Sequence, residues 1–174
     1  MIDLPQEIMA FKTTFGWCAI AGCEEQLRDL AFAQPTREAA IKRALRDSTS
    51  NVRSTKWNRK LAERIVAALD GEPDEFRDVQ LDLEHLTPFS RRVIAACRRI
   101  GWGQTASYGE IARMAESPGA ARAVGSVMAG NRTPLVVPCH RVIASEGKIG
   151  GFSAPDGIRL KKRLLALEAA AAKA

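Results

Sequence analysis

SYGEIARMAESPGAARAVGSVMAG, residues 107–130, decides the architecture of the C-terminal half. Ser107 followed three residues later by Glu110 has the form of a capping box, in which each side chain satisfies the other's backbone N–H at a helix start. The helix it opens carries Ile111, Ala112, Met114 and Ala115. Ser117-Pro118 predicts a second start, with proline at the first helical position, where its missing N–H costs nothing. Two short helices joined by a Ser/Pro/Gly turn predict a helix-turn-helix unit. The second helix is small-sided, with Ala120, Ala121, Ala123, Gly125, Ser126, Ala129 and Gly130, and one long basic residue, Arg122, stands out from it. Such a helix either lies close against a nucleic-acid groove or packs tightly on its neighbour.

Upstream, Phe89, Val93, Cys97 and Ile100 recur at i, i+4, i+8 and i+11, which predicts a helix from Pro88 with Cys97 as a core thiol. Gly101 and Gly103 end it. The domain boundary is expected near Leu86–Pro88. Before it, residues 11–34 read as two short strands with a turn near Gly22–Glu25, and residues 36–47 as a helix. Residues 55–70 read as a clearer helix, with Trp57, Leu61, Ile65 and Leu69 at four-residue intervals and Gly71 as its stop. Val79, Leu81 and Leu83 alternate as in a strand.

The chain has 174 residues, 46% apolar and 26% charged, an ordinary globular composition that excludes a disordered or low-complexity protein. No apolar run approaches the roughly 18 residues needed to span a bilayer. Asp3 and Glu7 near the start predict no secretory leader, so a cytoplasmic protein is expected. The net charge of +6 is uneven: residues 1–90 hold 12 basic and 15 acidic groups, residues 91–174 hold 14 and 5. A basic half points to a polyanionic partner or to a solvated basic surface. The four cysteines predict no disulfide framework. Cys18 and Cys23 have the spacing of half a metal site, but with His85 and His140 as the only histidines, two ordinary thiols on neighbouring strands is the simpler expectation.

The chemistry concentrates in Pro134-Leu-Val-Val-Pro-Cys-His-Arg-Val-Ile143. A reactive cysteine must become a thiolate, and His140 and Arg141 are placed to favour one at Cys139. In an extended backbone, however, neighbouring side chains face opposite ways, so a Cys139–His140 contact needs a turn or a water. A histidine base also needs a group to orient it. On the C-terminal helix, which Asp156 is placed to cap, Leu160 and Leu164 are followed on the same stripe by Glu168. That carboxylate is either solvated at the helix end or turned inward toward His140. Cys139 is correspondingly a nucleophile or an inert buried thiol.

Pro138-Cys139-His140-Arg141-Val142, preceded by Gly130-Asn131 and a Val-rich run, resembles the active-site motif of the O6-alkylguanine-DNA alkyltransferases. The resemblance covers roughly residues 87–168, including the Ser107-Tyr108 helix start, Ala120-Ala121-Arg122-Ala123-Val124-Gly125 and Leu164-Leu165-Ala166-Leu167-Glu168. It implies an α+β protein: a ribonuclease H-like supporting domain over residues 1–86, then a mainly helical DNA-binding and alkyl-transfer domain with a helix-turn-helix over residues 87–174. It implies single-turnover transfer of an alkyl group from guanine O6 in duplex DNA to Cys139 after base flipping, with thymine O4 as a second substrate candidate. It implies no cofactor or metal, and a monomer compatible with cooperative packing on DNA.

Under that resemblance His140 is the base acting through a water, Glu168 orients it, and Asn131 bridges to the active-site loop. Tyr108 donates a proton to the departing guanine. Arg122 enters the base stack, with Ala121, Ala123, Gly125, Ser107 and Tyr108 also against DNA. Val142, Phe152, Ser153 and Lys161 form the substrate pocket. Phe152 stands where many relatives have tyrosine, and Ala154-Pro155 replaces a glycine pair, which predicts a narrower pocket that disfavours benzyl lesions. A helix-turn-helix regulator would need no Pro-Cys-His-Arg site, a cysteine hydrolase would need an oxyanion hole, and a lesion-binding relative without activity would lack Cys139.

Overall fold

The computed structural model describes residues 6–46, 48 and 52–171. The chain packs as two units: one runs to Glu72 and includes Asp78–Asp82, and the other comprises Pro73–Arg77 and everything from Leu83. The changeover therefore falls at Asp82–Leu83, with a short segment of earlier chain belonging to the second unit.

In the first unit, β1 (Gln6–Thr13), β2 (Gly16–Cys23) and β3 (Gln26–Gln34) form an antiparallel meander, and β4 (Val52–Ser54) adds in parallel to β1, giving the order β3-β2-β1-β4. There are three strands where two were expected. The missed reversal is Thr14–Phe15: the Thr13 hydroxyl accepts from the Phe15 N–H (3.1 Å) and donates to the Gly16 carbonyl (2.9 Å), closing a tight turn. Gly16 has φ +113°, and a Cβ there would stand 2.8 Å from the Gln34 carbonyl oxygen.

Helix α1 (Arg37–Ala44) is shorter than expected and is capped by Thr36, whose side chain accepts from the Ala39 N–H. Asp47, the expected end, lies outside the described residues. The helix rests on the sheet through Ala40 and Ala44 against Ile8, Ala19, Ala21 and Ala31. Helix α2 (Arg59–Leu69) begins four residues later than the periodicity suggested, because Asn58 at φ +49° caps it and Trp57 lies before it. The Trp57 indole instead donates to the Glu24 carbonyl (2.8 Å). Val79–Leu83 forms a single ladder rung, Leu27 to Leu81, rather than a strand. Cys18 and Cys23 both lie on β2, not on neighbouring strands.

The second unit is mainly helical: α3 (Pro88–Cys97), β5 (Ala106–Ser107), α4 (Tyr108–Met114), α5 (Ala121–Ala129), β6 (Val142–Ile143) and α6 (Gly157–Ala171). The two-residue strands β5 and β6 pair in parallel. The capping box is present in both directions at Ser107 and Glu110. Ser117-Pro118 does not start α5: Glu116 (φ +57°) and Gly119 (φ +88°) hold the intervening residues in a turn, so the helix begins at Ala121 without a side-chain cap. The core is built from Val93, Cys97, Ile111, Val124, Val136, Val137 and Val142, all fully buried. No described helix is long and apolar enough to cross a membrane.

Ser107→Ala removes one half of the capping box and should cost about 1 kcal/mol of stability. Urea unfolding of the variant against the parent protein measures this, and an unchanged midpoint would show that the box contributes nothing.

Candidate active site

Residues 134–143 form a compact wrap rather than an extended strand. Leu135 takes φ +73°, and Cys139–Arg141 make one 3-10 turn, closed by Cys139 N–H to Val137 O (2.8 Å) and Arg141 N–H to Pro138 O (2.9 Å). The expectation of alternating side chains over Cys139-His140 thus gives way to three that fan out from a turn, all three buried.

Asn131, just past the end of α5, organises the wrap. Its Oδ1 accepts from the Thr133 N–H (3.1 Å), and its Nδ2 donates to the Val137 carbonyl (2.9 Å) and to Cys139 Sγ (3.1 Å). It ties the helix that carries Arg122 to the thiol.

Glu168 is turned inward and is 3% exposed, which settles the alternative left open by the helix stripe. His140 Nε2 donates to Glu168 Oε1 at 2.7 Å. Arg141 Nε and Nη2 donate to the same carboxylate at 3.0–3.1 Å, and the Gly103 N–H donates to Oε2 at 3.1 Å. The rest of the Arg141 guanidinium is held by the Ile100 carbonyl (2.7 Å) and Glu75 (3.5 Å) and lies over the Trp102 ring. Burial alone would raise the Glu168 carboxyl, but the bonds and charges of His140 and Arg141 outweigh it and hold it at about 2.

Burial lowers His140, against the opposing pull of Glu168, so the imidazole is neutral at neutral pH. With Nε2 donating to a carboxylate, the proton sits on Nε2 and the Nδ1 lone pair is the free base site. Nδ1 is buried without a hydrogen-bond partner among the described residues. Burial raises the Cys139 thiol, with the Asn131 bond and the Lys161 charge working the other way. Resting Cys139 is therefore a thiol that needs a base.

Cys139 opens into a cavity of about 280 Å³ walled by Tyr108, Gly125, Met128, Ala129 and Gly151–Ser153. Tyr108 packs so closely on Gly150 that a Cβ there would meet its hydroxyl at 2.9 Å. Burial raises the Tyr108 phenol, which keeps it protonated and able to donate. Of the four residues expected in the pocket, Phe152 and Ser153 line it, whereas Val142 and Lys161 do not: both are buried, with Lys161 Nζ donating to the Val142 carbonyl (2.6 Å). Arg122 and Ala123 are exposed on α5, Ala121 is half-buried and Gly125 reaches the cavity. A larger cavity, about 490 Å³, lies in the first unit beside Trp57 and Asp78 and holds no cysteine or histidine.

The grip of Arg141 and the Gly103 amide on Glu168 was not read from the sequence. The long separation hides it, and only the odd charge on an apolar stripe hinted that Glu168 had a buried partner. Among the described residues no three His, Cys, Asp or Glu side chains gather as metal ligands.

The DNA-binding domain model of 6-O-methylguanine DNA methyltransferase matches residues 88–170. The methylated-DNA–protein-cysteine methyltransferase of Methanosarcina acetivorans is 36% identical over 91% of this chain and 95% of its own length. That of Mycolicibacterium paratuberculosis is 48% identical over 61% of this chain, and the match spans 62% of that relative's length. The solved structure of Mycobacterium tuberculosis OGT in complex with DNA superposes with a TM-score of 0.76 at 30% identity, covering 95% of this chain and 94% of that one.

Glu168→Leu strands the buried Arg141 and should cost about 3–5 kcal/mol in urea unfolding. Because the folded-state pKa of Glu168 is depressed, its share of stability is present above the ordinary carboxylate range and is lost as pH falls toward 2. Unfolding measured across that range should show the loss in the parent protein and not in the variant.

Proposed function

The chain belongs to the methylated-DNA–protein-cysteine methyltransferase family, and on that footing we propose that it repairs DNA by moving the alkyl group of O6-alkylguanine onto Cys139, once per molecule. The observation that carries the reading is the buried Glu168–His140 pair, which leaves an imidazole lone pair free on the residue next in sequence to a thiol that opens into a cavity.

In this reading neutral His140 takes the Cys139 proton through a water. Glu168 stabilises the imidazolium, and the Asn131 amide stabilises the thiolate as charge develops on sulfur. The thiolate attacks the alkyl carbon. The carbon–oxygen bond breaks, its electron pair stays with guanine, and Tyr108 supplies the proton that the departing base needs. The thioether has no leaving path, so the protein is consumed.

The lesion is unreachable inside a duplex, so the base is extruded into the cavity, at a cost of a few kcal/mol that is smallest for a poorly paired base. Helices α4 and α5 act as the helix-turn-helix, with Arg122 on the exposed face taking the vacated place in the stack. The excess of basic residues after residue 90 supports contact with phosphates of any sequence. The residues before the changeover support this half. The protein acts as a cytoplasmic monomer on duplex DNA.

Intact-mass measurement after mixing with a duplex carrying one O6-methylguanine tests the proposal. A single added methylene on Cys139, absent in Cys139→Ser, is the expected result; tight lesion binding with no mass change would contradict it. His140→Ala should slow the transfer about 100-fold or more. The cavity is at the small end for ligand sites, and Phe152 brings no hydroxyl to it. A benzyl lesion should therefore react more slowly than a methyl one, and equal single-turnover rates would remove that selectivity.

A further inference from the structure

Glu75 lies before the changeover in sequence, yet it belongs to the unit that holds the relay. Its Oε1 accepts from the Trp102 N–H at 2.8 Å, and its Oε2 stands 3.5 Å from Arg141 Nη1. The next amide of the same turn, Gly103 N–H, donates to Glu168, which also holds Arg141. Two carboxylates, one from each end of the unit's sequence, therefore grip two successive amides and opposite parts of one guanidinium. The segment around Glu75 is itself fastened: Phe76 is buried, and Arg98 Nη2 donates to the carbonyls of Phe76 (2.6 Å) and Arg77 (3.1 Å).

We propose that Glu75 is a positioning residue for alkyl transfer, holding Arg141 and the Gly101–Gly103 turn so that Glu168 stays aimed at His140. This rests on the reading of Cys139 and His140 given above. Glu75 does not touch the cavity or the thiol. It acts by sharing the charge of Arg141, which would otherwise bear wholly on Glu168 and His140.

The charged groups bearing on His140 fix the sign. Glu168 favours the imidazolium, while Arg141 and Lys161 oppose it. Arg77, 3.9 Å from Glu75, is a second cation near the carboxylate. Removing Glu75 leaves Arg141 less neutralised, so His140 becomes a weaker base and protonates only at lower pH.

The test is the single-turnover transfer rate on duplex O6-methylguanine across pH, with lesion-DNA affinity measured alongside, for the full-length parent, Glu75→Gln and Glu75→Ala. The glutamine keeps an acceptor for Trp102 N–H and loses only the charge, so it folds as the parent does even if the alanine does not. The plateau rate should fall about 10-fold in Glu75→Ala, the low end of what losing an outer partner of a metal-ligating histidine costs, and less in Glu75→Gln. The acid limb should move to lower pH in both, with affinity unchanged. An acid limb that stays in place, or a rate that falls only as far as affinity does, would overturn the proposal. A parent protein that transfers nothing would instead overturn the reading of Cys139 and His140, and this proposal with it.

Discussion

One buried carboxylate, Glu168, is the interaction on which the second unit is assembled. It lies on α6, yet its donors come from the Cys139–Arg141 turn and from Gly103. A carboxylate taken out of water without partners is very costly, so α6 can bury this face only when His140 and Arg141 are already turned toward it. The requirement runs the other way too, because Arg141 has no tolerable buried position without an anion. Three distant stretches of chain therefore reach their positions together or not at all.

This constraint explains why the chemistry is not spread over a surface loop. The wrap around Cys139 takes a left-handed residue and a 3-10 turn, and it is held by Asn131 at Val137 and by Lys161 at Val142. Small residues on α5 leave room for the cavity in front of the thiol, while Arg122 projects from the same helix to the exterior. Asn131, just past the end of that helix, links it to the thiol within hydrogen-bond distance.

Much of this was readable in the sequence, for identifiable reasons. The capping box, the placing of Glu168 on the apolar stripe of α6 and the helix from Pro88 rest on local spacing, which the chain states directly; whether Glu168 turned inward did not follow from spacing. The Thr13–Gly16 reversal was missed because its hydroxyl bonds and positive φ leave little trace in composition. The start of α5 was misplaced because Ser117-Pro118 imitates a helix start while Gly119 enforces a turn. Lys161 and Val142 were expected to line the pocket; both are buried away from it, the lysine tolerably so because a carbonyl accepts a hydrogen bond from its ammonium. The partners of Arg141 lie more than 25 residues away in either direction, where no spacing rule reaches.

Glu168 fixes buried His140 as the neutral Nε2–H tautomer, with Nδ1 as the open base. Nitrogen-15 NMR of the His140 imidazole measures this directly. His140 should show a protonated Nε2 and an unprotonated Nδ1 at neutral pH, and stay neutral to lower pH than an ordinary imidazole. An Nδ1–H tautomer, or an imidazolium at neutral pH, would contradict it.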